Sequence, residues 1–159
     1  MLFGADTFTN VHVALSLAGI GTGLIVLLGL LADKRLELVT FVFLATTVAT
    51  SVTGFGFPFG TLLPSHIVGI ISLVVLAVAL YARYGAGLSG NWRWIYVTTA
   101  TLALYLNVFV LVVQLFLKVE TLHELAPTQA EPPFAIAQGL TLAAFLVLGY
   151  LAVRRFRTA

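Results

Sequence analysis

The stretch from Trp92 to Leu117 constrains the fold more than any other part of the chain. It is 26 residues long, carries no formal charge after Arg93, and is closed by Lys118. As a helix rising about 1.5 Å per residue, it is long enough to cross a hydrocarbon core of roughly 30 Å. Two carboxamides interrupt it, Asn107 and Gln114. Seven residues apart, they share one helical face, with Asn107 near mid-membrane and Gln114 two turns closer to one surface. A carboxamide facing lipid would leave donors and acceptors unpaired, so this face is expected to meet other helices of the same protein. The stretch predicts the central helix of a membrane bundle.

Four further stretches have the same character. Of the 159 residues 60% are hydrophobic and 9% charged, whereas soluble domains carry about 25% charged residues, so a water-soluble fold is excluded. The spans are expected over 8–31, 36–53, 64–84, 92–118 and 134–153. Asp33-Lys34-Arg35 ends the first, and the run Gly54-Phe55-Gly56-Phe57-Pro58-Phe59-Gly60 breaks the second. Pro64 suits the first turn of the third. The chain 1–159 reads as a single transmembrane domain: an all-α, polytopic transmembrane helical bundle of five spans.

With the N-terminus out and the C-terminus in, Lys34, Arg35, Arg83, Arg93, Arg154, Arg155 and Arg157 collect on the inner side and only Lys118 on the outer. Asp6, Glu120, Glu124 and Glu131 then lie outside. Tyr81, Tyr84, Trp92 and Trp94 form an inner aromatic belt, and Phe55, Phe57 and Phe59 an outer apolar rim. The net charge of +2 and pI near 9.2 arise from helix ends, which points to orientation and not to nucleic acid. Met1 to Asn10 lacks a basic n-region, so no cleavable signal peptide is expected. The absence of cysteine rules out disulfides, thiolate metal sites and thiol nucleophiles.

Small residues recur four apart at Gly19/Gly23, Ala45/Ala49, Ser65/Gly69 and Ala135/Gly139/Ala143, the spacing that lets helix backbones approach. Polar side chains recur at one depth. His12 and Ser16 come from the first span, Thr50 and Thr53 from the second, His66 from the third, Gln114 from the fourth and Gln138 from the fifth. The hydroxyls of the second span can bond the carbonyl four residues back. Thr98, Thr99 and Thr101, in the other half of the membrane, are expected to be satisfied locally. These placements outline a small polar pocket open to the outer, periplasmic side, floored by Asn107. The competing explanation is that the same groups pair with one another and with water and fix helix register.

Sharper versions of the pocket can be named. Two imidazoles at matched depth, His12 and His66, are what bis-histidine ligation of a b-type haem needs. A metal ion would take His12, His66 and the loop residue His123, with Glu120 or Glu124 as a further ligand. Val52-Thr53-Gly54-Phe55-Gly56 has the look of a potassium-channel filter with its first two residues exchanged. The stiff loop Ala126 to Pro133 could lie across the outer mouth as a lid. Nothing resembles a catalytic set, and no charged pair is expected to be buried in the membrane.

Thr50-Ser51-Val52-Thr53-Gly54-Phe55, Trp92-Arg93-Trp94-Ile95-Tyr96, Ala126-Pro127-Thr128-Gln129 and Glu131-Pro132-Pro133-Phe134 resemble segments of small bacterial inner-membrane proteins of uncharacterised activity. That resemblance implies a multi-pass protein of the bacterial cytoplasmic (inner) membrane and brings no activity, cofactor or catalytic residue with it. The leading expectation is a non-enzymatic binding or accessory subunit, embedded in the lipid bilayer, forming a homo-oligomer or pairing with another membrane protein. The alternatives are a haem- or metal-binding redox protein and a small-solute transporter or channel.

Overall fold

A peptide group inside a bilayer has no water to bond, so an apolar stretch must satisfy its own amides and carbonyls. Each of the five does so as a helix. The computed structural model describes residues 7–57 and 64–157, with the side chains of Pro64 and Ser65 excepted. In chain order the helices are α1 Thr7–Leu31, α2 Glu37–Gly54, α3 Pro64–Leu80, α4 Trp92–Lys118, the short α5 Glu120–Leu125, and α6 Pro132–Arg155. Five segments are long and apolar enough to cross a membrane, and no strand occurs among the described residues. The expectations made for Asp6, Pro58, Phe59, Gly60 and the Ser65 side chain lie outside the described residues.

The helix ends fall within two residues of those expected, except that α3 stops at Leu80, four residues before the expected end. The third span closes in a wide turn, Tyr81–Gly85, in which Ala86 N donates to Tyr81 O five residues back at 2.7 Å. As expected of the central helix, α4 packs on α1, α3 and α6. The apolar core is confined to one half of the bundle. It joins Val26 and Leu30 of α1, Phe43 of α2, Leu76 of α3, and Val97 and Leu104 of α4. This half carries most of the basic residues and is called the arginine end below.

Of the small-residue patterns, Gly19 and Gly23 are buried, and a Cβ at Gly23 would lie 2.6 Å from Leu104 Cδ1 and 2.7 Å from the Phe43 ring. The other patterns do not mark helix contacts throughout. Ala45, Ala135, Gly139 and Ala143 are exposed, with no atom within 4 Å of a Cβ at Gly139. In α6 only 6% of its most apolar window is buried, against 28–33% in the other spans, so most of its surface is left uncovered by the other described residues.

Polar contacts fasten both ends of α6, beside the ring contacts Tyr105–Phe145 and Phe116–Phe134. Arg93 donates to Val153 O at 3.2 Å and to Phe156 O, which caps the helix C-terminus. Phe156 is fully buried, and Arg157 N donates to Asp33 Oδ1 at 2.8 Å. Nearer the other end, Gln138 Nε2 donates to Phe109 O at 3.1 Å and Gln129 Nε2 to Val113 O at 3.0 Å. The two glutamines clamp carbonyls one turn apart on α4.

At the arginine end a buried cation is paired with an exposed carboxylate. Arg83 has a side chain 1% exposed, and its Nη2 lies 2.7 Å from Glu37 Oε2. The guanidinium sits 5.2 Å from the centroid of the buried Tyr96 ring and also donates to Arg35 O at 3.3 Å. A cation out of water needs such partners: a carboxylate, a carbonyl and an aromatic face. Glu37, 63% exposed, keeps its side of the pair at the bundle surface.

Candidate functional site

At the other end the helices diverge around a cavity of about 510 Å³, within the roughly 300–1,000 Å³ typical of small-molecule pockets. Its walls come from the N-terminal half of α1, the C-terminus of α2, the N-terminal half of α3 and the C-terminal half of α4. His12 and Ser16, Thr50, His66, Asn107 and Gln114 all line it, and so does Lys118. Along α4 it runs from Lys118 to Asn107, eleven residues or about 16 Å. Asn107 forms the floor, where it is 9% exposed and its Nδ2 lies 3.4 Å from Thr47 Oγ1. Below it the backbone of Gly23 approaches Phe43 and Leu104, and the packed core begins.

Gln138 and Thr53 are placed differently. Gln138 faces α4 as the clamp described above and does not line the cavity. Thr53 sits behind His12, with its Oγ1 2.8 Å from His12 Nδ1. Thr53 Oγ1 also lies 2.7 Å from Ala49 O. With the hydroxyl proton on that carbonyl, His12 Nδ1 donates to Thr53 and Nε2 keeps its lone pair; with the proton turned to His12, the two ring nitrogens exchange roles. Phe57 packs edge-on against His12 at 5.1 Å, and Phe55 lies 5.9 Å from the buried His66. These two phenylalanines therefore buttress the histidines, where the sequence placed them in an apolar rim.

The hydroxyls of α2 divide as their partners dictate. Thr46, Thr50 and Thr53 bond the carbonyl four residues back at 2.7, 2.8 and 2.7 Å, as expected, whereas Thr47 receives Asn107. In the opposite half Thr99 bonds Ile95 O at 2.7 Å, but Thr101 Oγ1 is buried without a hydrogen bond, against the expectation of local satisfaction. Ser16, Ser51, Ser72 and Gln114 line the cavity and make no side-chain hydrogen bond to another described residue.

Three sharper expectations meet the geometry as follows. The Val52 to Gly56 segment does not form a filter: Val52 O and Thr53 O accept from Phe55 N at 3.2 Å and Gly56 N at 2.9 Å, closing the end of α2. The three-histidine metal arrangement is not assembled. His123 is exposed on α5 with Nδ1 3.2 Å from Phe116 O, and no group of three or more His, Asp or Glu suited to a metal occurs among the described residues. His12 and His66 do share the cavity. The loop Ala126 to Pro133 contributes nothing to the cavity lining. Instead Gln129 ties it to α4, and Glu131 accepts from the Thr128 hydroxyl at 2.8 Å. That bond holds the Glu131 carboxyl below its ordinary value.

Sequence reasoning missed Arg83 and Glu37 as a pair. The available signal was an arginine between two tyrosines at a span end, facing a lone glutamate at the start of the preceding span. No protein-family model, curated protein or solved structure matches the chain.

Proposed function

We propose that this is a non-enzymatic integral membrane protein that binds a small ligand in the α1/α2/α3/α4 cavity, with that cavity open to the outer, periplasmic side of a bacterial inner membrane. The observation that carries the reading is convergence: polar side chains from four separate helices meet at one void. Orientation follows from the eight basic residues, seven of which lie at the arginine end or beside it, the end that faces the cytoplasm under the positive-inside rule. The exposed length of α6 fits self-association or attachment to another membrane protein as an accessory subunit.

The chain contains no cysteine, so single cysteines give an unambiguous test. In intact cells an impermeant maleimide is expected to label Gln114→Cys and Ser16→Cys, and to leave Leu140→Cys, 68% exposed on α6 and facing hydrocarbon, unmodified. Labelling of the cavity positions only after the inner face is opened, or not at all, would refute the reading.

A second reading, a b-type haem held by His12 and His66, is favoured by their common cavity and by the Thr53 hydroxyl 2.8 Å from His12 Nδ1. Ligating histidines characteristically donate their other ring N–H to such a partner. Protein purified with haem supplied should then show a Soret band that is lost in His12→Ala and in His66→Ala; a colourless product under those conditions removes this reading. The packed core below Asn107 gives a continuous pore no support.

A further inference from the structure

We propose that the ligand of this cavity is an amphipathic organic carboxylate, its head held by Lys118 and Gln114 and its body lying along Val13, Leu17, Val110 and Leu111. The proposal rests on the reading of the cavity as a binding site and adds the class of molecule.

Charge is the first argument. Among the described residues lining the cavity, Lys118 alone carries a formal charge, and none is an aspartate or glutamate. Lys118 forms no salt bridge with a described residue. A cation entering here would meet a like charge and no counter-ion, whereas an anion would meet an uncommitted ammonium. One ammonium with no guanidinium beside it suits a single negative charge, since lysine acts as a point charge and not as a bidentate fork.

Hydrogen bonding is the second. Ser16, Ser51, Ser72 and Gln114 each offer an uncommitted donor to the oxygens of a carboxylate, and their own oxygens can be met by water or by a hydroxyl of the ligand. Shape is the third. The cavity reaches about 16 Å from Lys118 to Asn107, and apolar side chains from α1 and α4 face each other along it. A small inorganic anion would leave those walls unused, so the charged head needs an apolar body behind it. A carboxylate of this kind can enter from the bilayer as a fatty acid or from water as an aromatic acid.

The test is equilibrium binding of radiolabelled octanoate and benzoate to the protein in phosphatidylcholine nanodiscs, corrected for empty discs. The uncharged octanamide and benzamide serve as isosteres. At least one acid is expected to bind saturably and about tenfold more tightly than its amide, the scale of one charge-assisted hydrogen bond near a surface. Lys118 is exposed at a helix end, so its variants are expected to fold. Lys118→Gln should bring the acid down to the level of the amide, and Lys118→Arg should retain most of the difference. Saturable octanoate binding identifies an aliphatic acid of the fatty-acid kind as the ligand, and saturable benzoate binding an aromatic acid. Equal affinity for acid and amide, no effect of Lys118→Gln, or no saturable binding of either acid overturns the proposal. The maleimide test of Gln114→Cys needs no ligand, so a labelled cavity that shows no preference for acids sinks the carboxylate while sparing the site.

Discussion

Two glycines in α1, two residues apart, give the most direct test of how the bundle is packed. Gly23 sits where α1 meets α2 and α4, and a Cβ there would lie 2.6 Å from Leu104 Cδ1 and 2.7 Å from the Phe43 ring. Both neighbours are about 1% exposed and have little room to withdraw. A Cβ at Gly21 would meet nothing within 4 Å. Alanine at either position gains the same backbone term, roughly 0.5–1 kcal/mol for removing a glycine from a helix interior. Only Gly23→Ala also forces a methyl into a filled core, which costs about 1–3 kcal/mol. The propensity gain cancels in the comparison, so the two variants should differ by that packing cost alone. At about 2–4 °C per kcal/mol for a chain of this size, Gly23→Ala should melt between about 2 and 12 °C below Gly21→Ala. The assay is thermal unfolding of both proteins in one detergent, followed by tryptophan fluorescence. Coincident melting curves, or a higher midpoint for Gly23→Ala, would refute the assignment of Gly23 to the α1/α2/α4 contact.

Three other outcomes follow from particular contacts. Glu37→Gln should destabilise the protein by about 1 kcal/mol, since it weakens a charge-assisted bond to a buried guanidinium whose partner is largely exposed; a double-mutant cycle with Arg83→Met that gives no coupling would contradict the pair. Asn107→Leu should shift stability by only about 0.6 kcal/mol, the average for an interhelical hydrogen bond in a membrane, and a loss above 2 kcal/mol in the same thermal assay would make Asn107 a structural post instead of a cavity floor. Glu131 should titrate by carbon NMR below the ordinary glutamate value of 4.5, and Thr128→Val should return it upward. Because the folded value is the lower one, the loop stability it contributes is complete above the unfolded value and disappears as pH falls through the depressed one; an unchanged titration in Thr128→Val would refute the hydroxyl as the cause.

The sequence makes depth legible and leaves azimuth hidden. Uncharged length and turn residues locate the five spans, and the seven-residue spacing of Asn107 and Gln114 is enough to put both on one face. Depth alone brings His12, Ser16, Thr50 and His66 to the level at which the cavity occurs. The same reasoning fails for Gln138, which has the right depth but lies on α6, outside the ring of four helices, and turns toward a carbonyl of α4. The order of helices around a bundle depends on contacts distant in sequence, and spacing within one helix cannot supply it. Ala45 and the Ala135/Gly139/Ala143 row fail for the same reason, since a small residue permits close approach without requiring a neighbour. Arg83 was hidden by a local cause: the wide turn at Tyr81–Gly85 alters the helical register at a span end, where a regular helix would be assumed.

Packing and cavity occupy opposite halves of the molecule, and that division bears on function. At the arginine end α1, α2, α3 and α4 share one apolar core, and Arg93, Phe156 and Asp33 fasten the end of α6 to it. At the histidine end the same four helices leave a void, and several of the polar groups facing it are not committed to the protein. Serine or glutamine without a protein partner adds little to a native fold, because water bonds it equally well in the unfolded chain. A sequence under selection for stability alone would have little cause to bring such groups from four helices to one void; a sequence that must hold a polar ligand within a bilayer would. The arginine end can then carry the fold while the histidine end is left free to accommodate a guest. On this argument, substitutions of equal size should be costly at Val97 or Leu104 and cheap at Ser16 or Ser72.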